Sequence, residues 1–275
     1  MLGSDMVALL ERHDDRVTPV TRADLDILDA GSVLDAAAGY DVVVNCAGYT
    51  AVDQAETDEG AAFDVNGVGT ANLARAATAA GARLVHVSTD YVFAGTSSQP
   101  YPEDAPLRPA SAYGRSKAAG EWAVRAAGSQ HLVLRTAWLY GAHGSCFPRT
   151  MARLASRGEP FDVVDDQVGQ PTWTADLAHL IRGLVLARAP GGVYHGTSAG
   201  MASWFDFARA VVAAAGADPE MVRPTTTDQF PRPARRPAYS VLGHDALRSA
   251  GVRPIGQWEQ RWDAAATTVL APEAV

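Results

Sequence analysis

The chain has 275 residues, 47% hydrophobic and 20% charged, the composition of a globular protein with enough material for one large domain or two closely joined ones. A formal charge of -8 argues against a nucleic-acid binder that works through a basic surface, and no apolar run approaches the roughly 18 residues that a membrane span needs. No secretory leader is visible, and Cys46 and Cys146 lack metal-ligand spacing, so the chain reads as a cytoplasmic protein with reduced thiols.

The sequence opens Met1-Leu2-Gly3-Ser4-Asp5-Met6 and runs into a helical pattern over Val7–Arg12. This looks like the tail of a dinucleotide-binding fingerprint, in which Met1, Leu2 and Gly3 would contact the cofactor. The apolar strand and earlier glycines that should precede it are missing, and we expect the true start to lie upstream of Met1. Arg16–Val20 is a short strand candidate and Asp41–Asn45 (DVVVN) a buried one. Gly60–Ala80 follows as an alanine-rich helix, then Arg83–Ser88 as a strand, Ala112–Ala127 as a helix and His131–Thr136 as a strand. Phe147–Ser156 and Thr174–Ala187 read as helices, and Gly192–His195 as a further strand. Such alternation of helices with near-continuous apolar strands predicts an α/β fold, a doubly wound parallel sheet of Rossmann type. From about Trp204 the pattern changes to one alanine-rich helix, the proline-punctuated stretch Pro224–Pro237 and two short helical stretches ending near Leu270. We therefore expect a dinucleotide-binding domain over 1–145 with 174–200 interleaved, and a smaller substrate-binding lobe from 146–173 and 201–275.

Lys117 is the chain's one lysine, against 22 arginines, and it follows Tyr113 by four residues. Surface charge and ion pairing are served by arginine elsewhere; a compact ammonium beside a phenol is a different tool. At i and i+4 of a helix the two share a face. Thr89 ends the strand RLVHVS, where an open parallel sheet binds its ligands, and it precedes Tyr113 by one returning loop. Hydroxyl, phenol and ammonium together suit proton transfer at a carbonyl that receives a hydride.

Strand-end Thr or Ser with Tyr-x-x-x-Lys is the active-site pattern of the short-chain dehydrogenases/reductases. The stretches Asn45–Glu56 (NCAGYTAVDQAE), Ser88–Phe93 (STDYVF), Asp166–Thr172 (DQVGQPT) and Pro233–Pro237 (PARRP) narrow the resemblance: together they are similar to the dTDP-4-dehydrorhamnose reductase family. That resemblance implies NADPH-dependent reduction (NADH being the alternative) of the C4 ketone of a dTDP-sugar. It implies that Tyr113 is the proton donor and that Lys117 binds the nicotinamide ribose and keeps the phenol's pKa near working pH. Thr89 would then bond the reacting oxygen, Asp90 another part of the sugar, and Trp138 would pack on the substrate. Asp26 and Ile27 would lie near the adenine, with Gly48, Tyr49 and Thr50 in the next cofactor-contacting loop. Arg22, with no acidic residue ending the preceding strand, favours a 2′-phosphate. Arg235 and Arg236, braced by prolines, suit either the substrate diphosphate or the positioning of the lobe. Some family members carry magnesium at a dimer contact through glutamates; no equivalents stand out, and no metal site is expected. A homodimer is one option for assembly.

Three rivals frame this expectation. A dehydratase on the same fold usually shows Thr-Asp-Glu at the strand end, and this chain has Thr89-Asp90-Tyr91. A reductase of another dTDP-4-keto-6-deoxy sugar would share every motif. A non-catalytic regulatory subunit would keep the fold without needing Thr89, Tyr113 and Lys117 together.

Overall fold

A computed structural model of the chain describes residues 1–13 and 15–271; the last four positions assigned above to the lobe lie outside them. Helix α1 (Leu2–Glu11) buries Leu2, Met6 and Leu9, one stripe at helical spacing. Helix α2 (Ala30–Ala37) starts at Asp29, whose carboxylate caps the Gly31 and Ser32 amides. Strand β1 (Val42–Asn45) leads to helix α3 (Glu59–Phe63), a π segment (Asp64–Gly69) and helix α4 (Thr70–Ala79). The single helix expected over Gly60–Ala80 is thus one rod with a wide turn in its middle. Asn66 in that turn bonds to two other segments, which gives the bulge its physical cause.

Strand β2 (Arg83–Thr89), helix α5 (Ala112–Ala127) and strand β3 (Leu132–Thr136) follow. Ser111 caps α5 by accepting from the Gly114 amide at 3.1 Å. Next come β4 (Leu139–Tyr140), α6 (Phe147–Ala155), β5 (Phe161–Val164), β6 (Val168–Gly169), β7 (Thr172–Trp173), α7 (Thr174–Leu186), β8 (Gly192–His195), β9 (Ala202–Ser203), α8 (Trp204–Ala214), β10 (Val222–Thr225), α9 (Asp245–Ser249) and α10 (Trp258–Leu270). Ser203 and Asp206 close a reciprocal capping box at the start of α8.

Among the described residues the main sheet has the order β1-β2-β3-β8, parallel throughout. Helices α1, α7 and α9 pack on one face through Met6, Leu177, Ile181 and Leu247, and α2, α4 and the end of α5 on the other through Val33, Leu73, Ala77 and Val124. The sheet is therefore covered on both sides, as its apolar strands require. Arg16–Val20 is not a strand. It lies in no regular element, because β1 pairs only with β2 and no described strand offers the segment a ladder of hydrogen bonds. A separate, aromatic core joins α6, α8 and α10 around Tyr140, Phe207, Trp258 and Trp262. No helix among the described residues is long and apolar enough to cross a membrane.

Candidate active site

The carboxyl ends of β2 and β3 lie side by side, with Thr89 opposite Thr136 in register. The Thr89 hydroxyl donates to Asp90 Oδ1 at 2.9 Å and accepts from the Tyr91 amide at 3.2 Å, which starts the single turn Asp90–Val92. Helix α5 crosses this end of the sheet. Its Tyr113 phenol reaches the Thr89 hydroxyl and stands edge-on to Tyr91, ring centroids 5.6 Å apart. One turn on, Lys117 Nζ donates to the Val87 carbonyl at 2.6 Å. Two glycines permit the approach. A Cβ on Gly114 would come 2.3 Å from the Tyr91 carbonyl oxygen, and one on Gly120 would come 2.3 Å from that of Asn66. Thr89, Tyr113 and Lys117 thus meet at one strand end.

Burial governs their proton affinities. It pushes Tyr113 up to about 12, with the Thr89 hydroxyl drawing it back and the Asp90 carboxylate adding to the rise. Desolvation outweighs the Thr89 hydroxyl, and Lys117 is not among the groups that shift the phenol. Burial lowers Lys117 to about 8, opposed by Glu121 and Cys46. Asp90, also buried, is raised to about 6, with the Ser240 and Thr89 hydroxyls pulling the other way.

On the β1 side, Gly48 and Thr50 are exposed and Tyr49 is half-buried, packed like Tyr113 on the cluster of Ala55, Ala62 and Ala112. A Cβ on Gly48 would lie 4.0 Å from Lys117 Nζ, so the loop passes over the ammonium. Tyr49 OH, Asp90 Oδ2 and Thr136 Oγ1 are buried without a well-aligned partner. Unsatisfied polar atoms at the ends of β2 and β3 and in the loop after β1, near an ammonium with protons to spare, fit a ribose-bearing polar ligand. Leu2 is a core side chain, leaving Met1 and Gly3 at the open start of α1. Asp26 accepts from the Leu28 amide at 3.0 Å, and Ile27 lies over Gly69, where a Cβ would come 2.5 Å from its Cδ1.

The rim is built differently. Trp138, with φ 47, occupies the left-handed region, a costly conformation for a bulky side chain. Its indole stacks on Trp204 at 3.6 Å and 8°. It also covers Gly169, where a Cβ would come 2.5 Å from the ring. Arg236 pairs with Asp53 at 2.9 Å and donates to the Ala234 carbonyl at 3.1 Å. Arg235 is exposed beside Tyr91 and Ser111.

A family model described as the RmlD substrate binding domain matches residues 1–270. The chain belongs to this family. It is 51% identical to a dTDP-4-keto-6-deoxy-D-glucose reductase of Streptomyces niveus over 94% of this chain and 90% of that one. It is 46% identical to a dTDP-4-dehydrorhamnose reductase of Streptomyces griseus over 94% and 87% respectively. The crystal structure of a dTDP-4-dehydrorhamnose reductase from Bacillus anthracis in complex with NADP superposes with a TM-score of 0.92 at 35% identity, covering 96% of this chain and 94% of that one.

Within this RmlD-family site, two features escaped the sequence reading. Asn66 accepts from the Tyr49 amide at 2.9 Å, and its Nδ2 donates to the Tyr49 carbonyl at 3.1 Å and to Ser116 Oγ at 2.9 Å. It therefore ties the loop after β1 to the Tyr/Lys helix, and the only sequence signal was an asparagine among glycines inside an alanine-rich helix. The second is the role of DQVGQPT, which is a latch. Asp166 accepts from the Thr227 hydroxyl at 2.7 Å and Gln167 donates to the same oxygen at 3.0 Å. Gln170 exchanges two bonds with the Leu242 backbone and accepts from Thr197 at 2.9 Å. The motif holds both ends of the segment that carries Arg235 and Arg236.

Proposed function

We propose that the chain reduces the C4 ketone of dTDP-4-dehydro-L-rhamnose to give dTDP-L-rhamnose, with NADPH as reductant and Tyr113 as proton donor. The observation that carries this reading is the convergence of Thr89, Tyr113 and Lys117 at the end of β2. Family membership and the dTDP-sugar reductases among its relatives support it, and NADP in the B. anthracis structure supports the cofactor.

NADPH, when bound, supplies the hydride that reaches C4. Lys117 would hold its nicotinamide ribose, Gly48, Tyr49 and Thr50 would cover it, Met1, Leu2 and Gly3 would offer backbone at the start of α1, and Asp26 and Ile27 would flank the adenine. The Thr89 hydroxyl hydrogen-bonds the ketone oxygen. Tyr113 gives that oxygen its proton as charge develops on it, and the bound cationic ammonium of Lys117 favours the phenolate left behind. Asp90 and Trp138 would hold the sugar, and Arg235, free at the rim, would take the diphosphate. Arg236 is engaged with Asp53, so it braces the lobe. In this reading residues 1–145 and 174–200 form the cofactor half, and 146–173 with the chain from 201 form the substrate lobe.

A second substrate, dTDP-4-keto-6-deoxy-D-glucose, is favoured by the 51% identity to the S. niveus enzyme. NADPH oxidation by purified protein, measured with both keto-sugars and with product configuration read by NMR, decides between them. Turnover of neither, with tight binding of another protein, would replace the reductase by a regulatory subunit.

A further inference from the structure

The side chain at i+4 from Lys117 is Glu121, fully buried (0% exposed) together with Arg135 (1%) on β3. Arg135 grips it with both arms of the guanidinium, Nε to Oε1 at 2.9 Å and Nη2 to Oε2 at 2.8 Å. The Ser88 hydroxyl donates to Oε1 at 2.6 Å. Arg135 is itself fixed: Nη1 donates to the Glu103 carbonyl at 3.0 Å and to His195 Nε2 at 3.2 Å, while His195 Nδ1 donates to the Gly243 carbonyl at 2.9 Å. Consecutive residues Val87, Ser88 and Thr89 therefore receive Lys117, Glu121 and Tyr113, all from one face of one helix.

We propose that Glu121 is a positioning residue: gripped by Ser88 and Arg135, it is the register pin and fixed counter-charge of the helix turns that present Tyr113 and Lys117. An apolar pair of similar volume would pack this site without the desolvation cost of two buried charges, so stability alone does not account for it. The charge matters because the groups facing Lys117 are few: Glu121 on its own helix, the Cys46 thiol after β1, and His86 on β2, held uncharged by burial and by Lys117 itself. Glu121 is the carboxylate that opposes the loss of the ammonium's proton.

The inference rests on the reductase reading for its consequence in turnover, and the single lysine separates the two. Protein grown on [13Cε]lysine gives one lysine signal, whose pH titration reports Lys117 without substrate or cofactor. Glu121→Gln should move its midpoint down by roughly one pH unit. Glu121→Asp keeps the charge but shortens the arm, so the midpoint should hold while kcat falls roughly tenfold to a hundredfold. Glu121→Gln leaves Arg135 unpaired and destabilises the fold; the double variant Glu121→Gln/Arg135→Met should recover the melting temperature but neither midpoint nor kcat. A double variant with wild-type midpoint and kcat would reduce the pair to scaffold and overturn the proposal, as would full kcat in Glu121→Asp. Wild-type protein that turns over neither keto-sugar sinks the reductase reading, while the lysine midpoint in Glu121→Gln still decides the counter-charge.

Discussion

The strand-end cluster and the indole rim solve opposite problems. At the end of β2 Lys117 is fixed by the Val87 carbonyl and Glu121 by Ser88 and Arg135, while the Tyr113 phenol stands by Thr89. At the rim, Trp138 is placed by a stacked ring, a glycine and an unusual backbone angle, and the arginine segment by a latch remote from the chemistry. Hydrogen bonds set angles and distances tightly, which proton transfer demands. Stacked faces and proline-braced loops can be reshaped by single substitutions, which suits a family whose members act on different sugars. The contrast predicts that damage to the first region lowers kcat, and damage to the second raises KM.

Tyr113→Phe should make the largest difference. Losing the proposed proton donor is expected to lower kcat by roughly 10²–10⁴ while leaving the NADPH dissociation constant within a few-fold; equal losses in both would place the phenol in binding. Asp90→Asn tests the cost of the fixed cluster. The Asp90 carboxyl is raised from 3.8 to about 6 on folding, so its contribution to stability falls as pH climbs from about 4 through 6. Removing the charge should stabilise the folded state at pH 8 by at most about 3 kcal/mol and leave melting at pH 4 nearly unchanged, while turnover drops. Lys117→Arg keeps a cation but not its shape, and kcat is expected to fall roughly tenfold to a hundredfold. With Lys117 lowered to about 8, kcat/KM of the wild type should decline above pH 8; in the arginine variant that alkaline limb should vanish, since a guanidinium does not titrate there. Gly169→Ala acts on the rim. Its methyl would press on the Trp138 indole from 2.5 Å, and the sugar-nucleotide KM should rise about tenfold with kcat little altered. A fall in kcat alone would erase the distinction between the two regions.

Much of this was legible in the sequence where local chemistry decides the structure. Helix α5 runs over Ala112–Ala127 as its pattern predicts, and the apolar strands β2, β3 and β8 lie within one or two residues of their expected bounds. The uniqueness of Lys117 pointed to the cluster before any contact was visible. What stayed hidden depends on partners distant in sequence. Arg135 interrupts an apolar strand, and nothing local to it names Glu121 as its mate. The π segment is indistinguishable from an α-helix by composition, since its wide turn exists to aim Asn66 at Tyr49 and Ser116. Arg16–Val20 has the residues of a strand, but a strand is a relation between two segments, and no described neighbour completes it. DQVGQPT was legible as a family mark and silent about its purpose as a latch.

Two indoles lying face to face at 3.6 Å are also an optical device. Their transitions should couple at that separation, and the resulting far-ultraviolet circular dichroism couplet is expected to vanish in Trp204→Phe. Any ligand that slides Trp138 off its neighbour would announce itself in the spectrum of the unlabelled protein, so binding at this rim can be followed without a coupled assay or a dye.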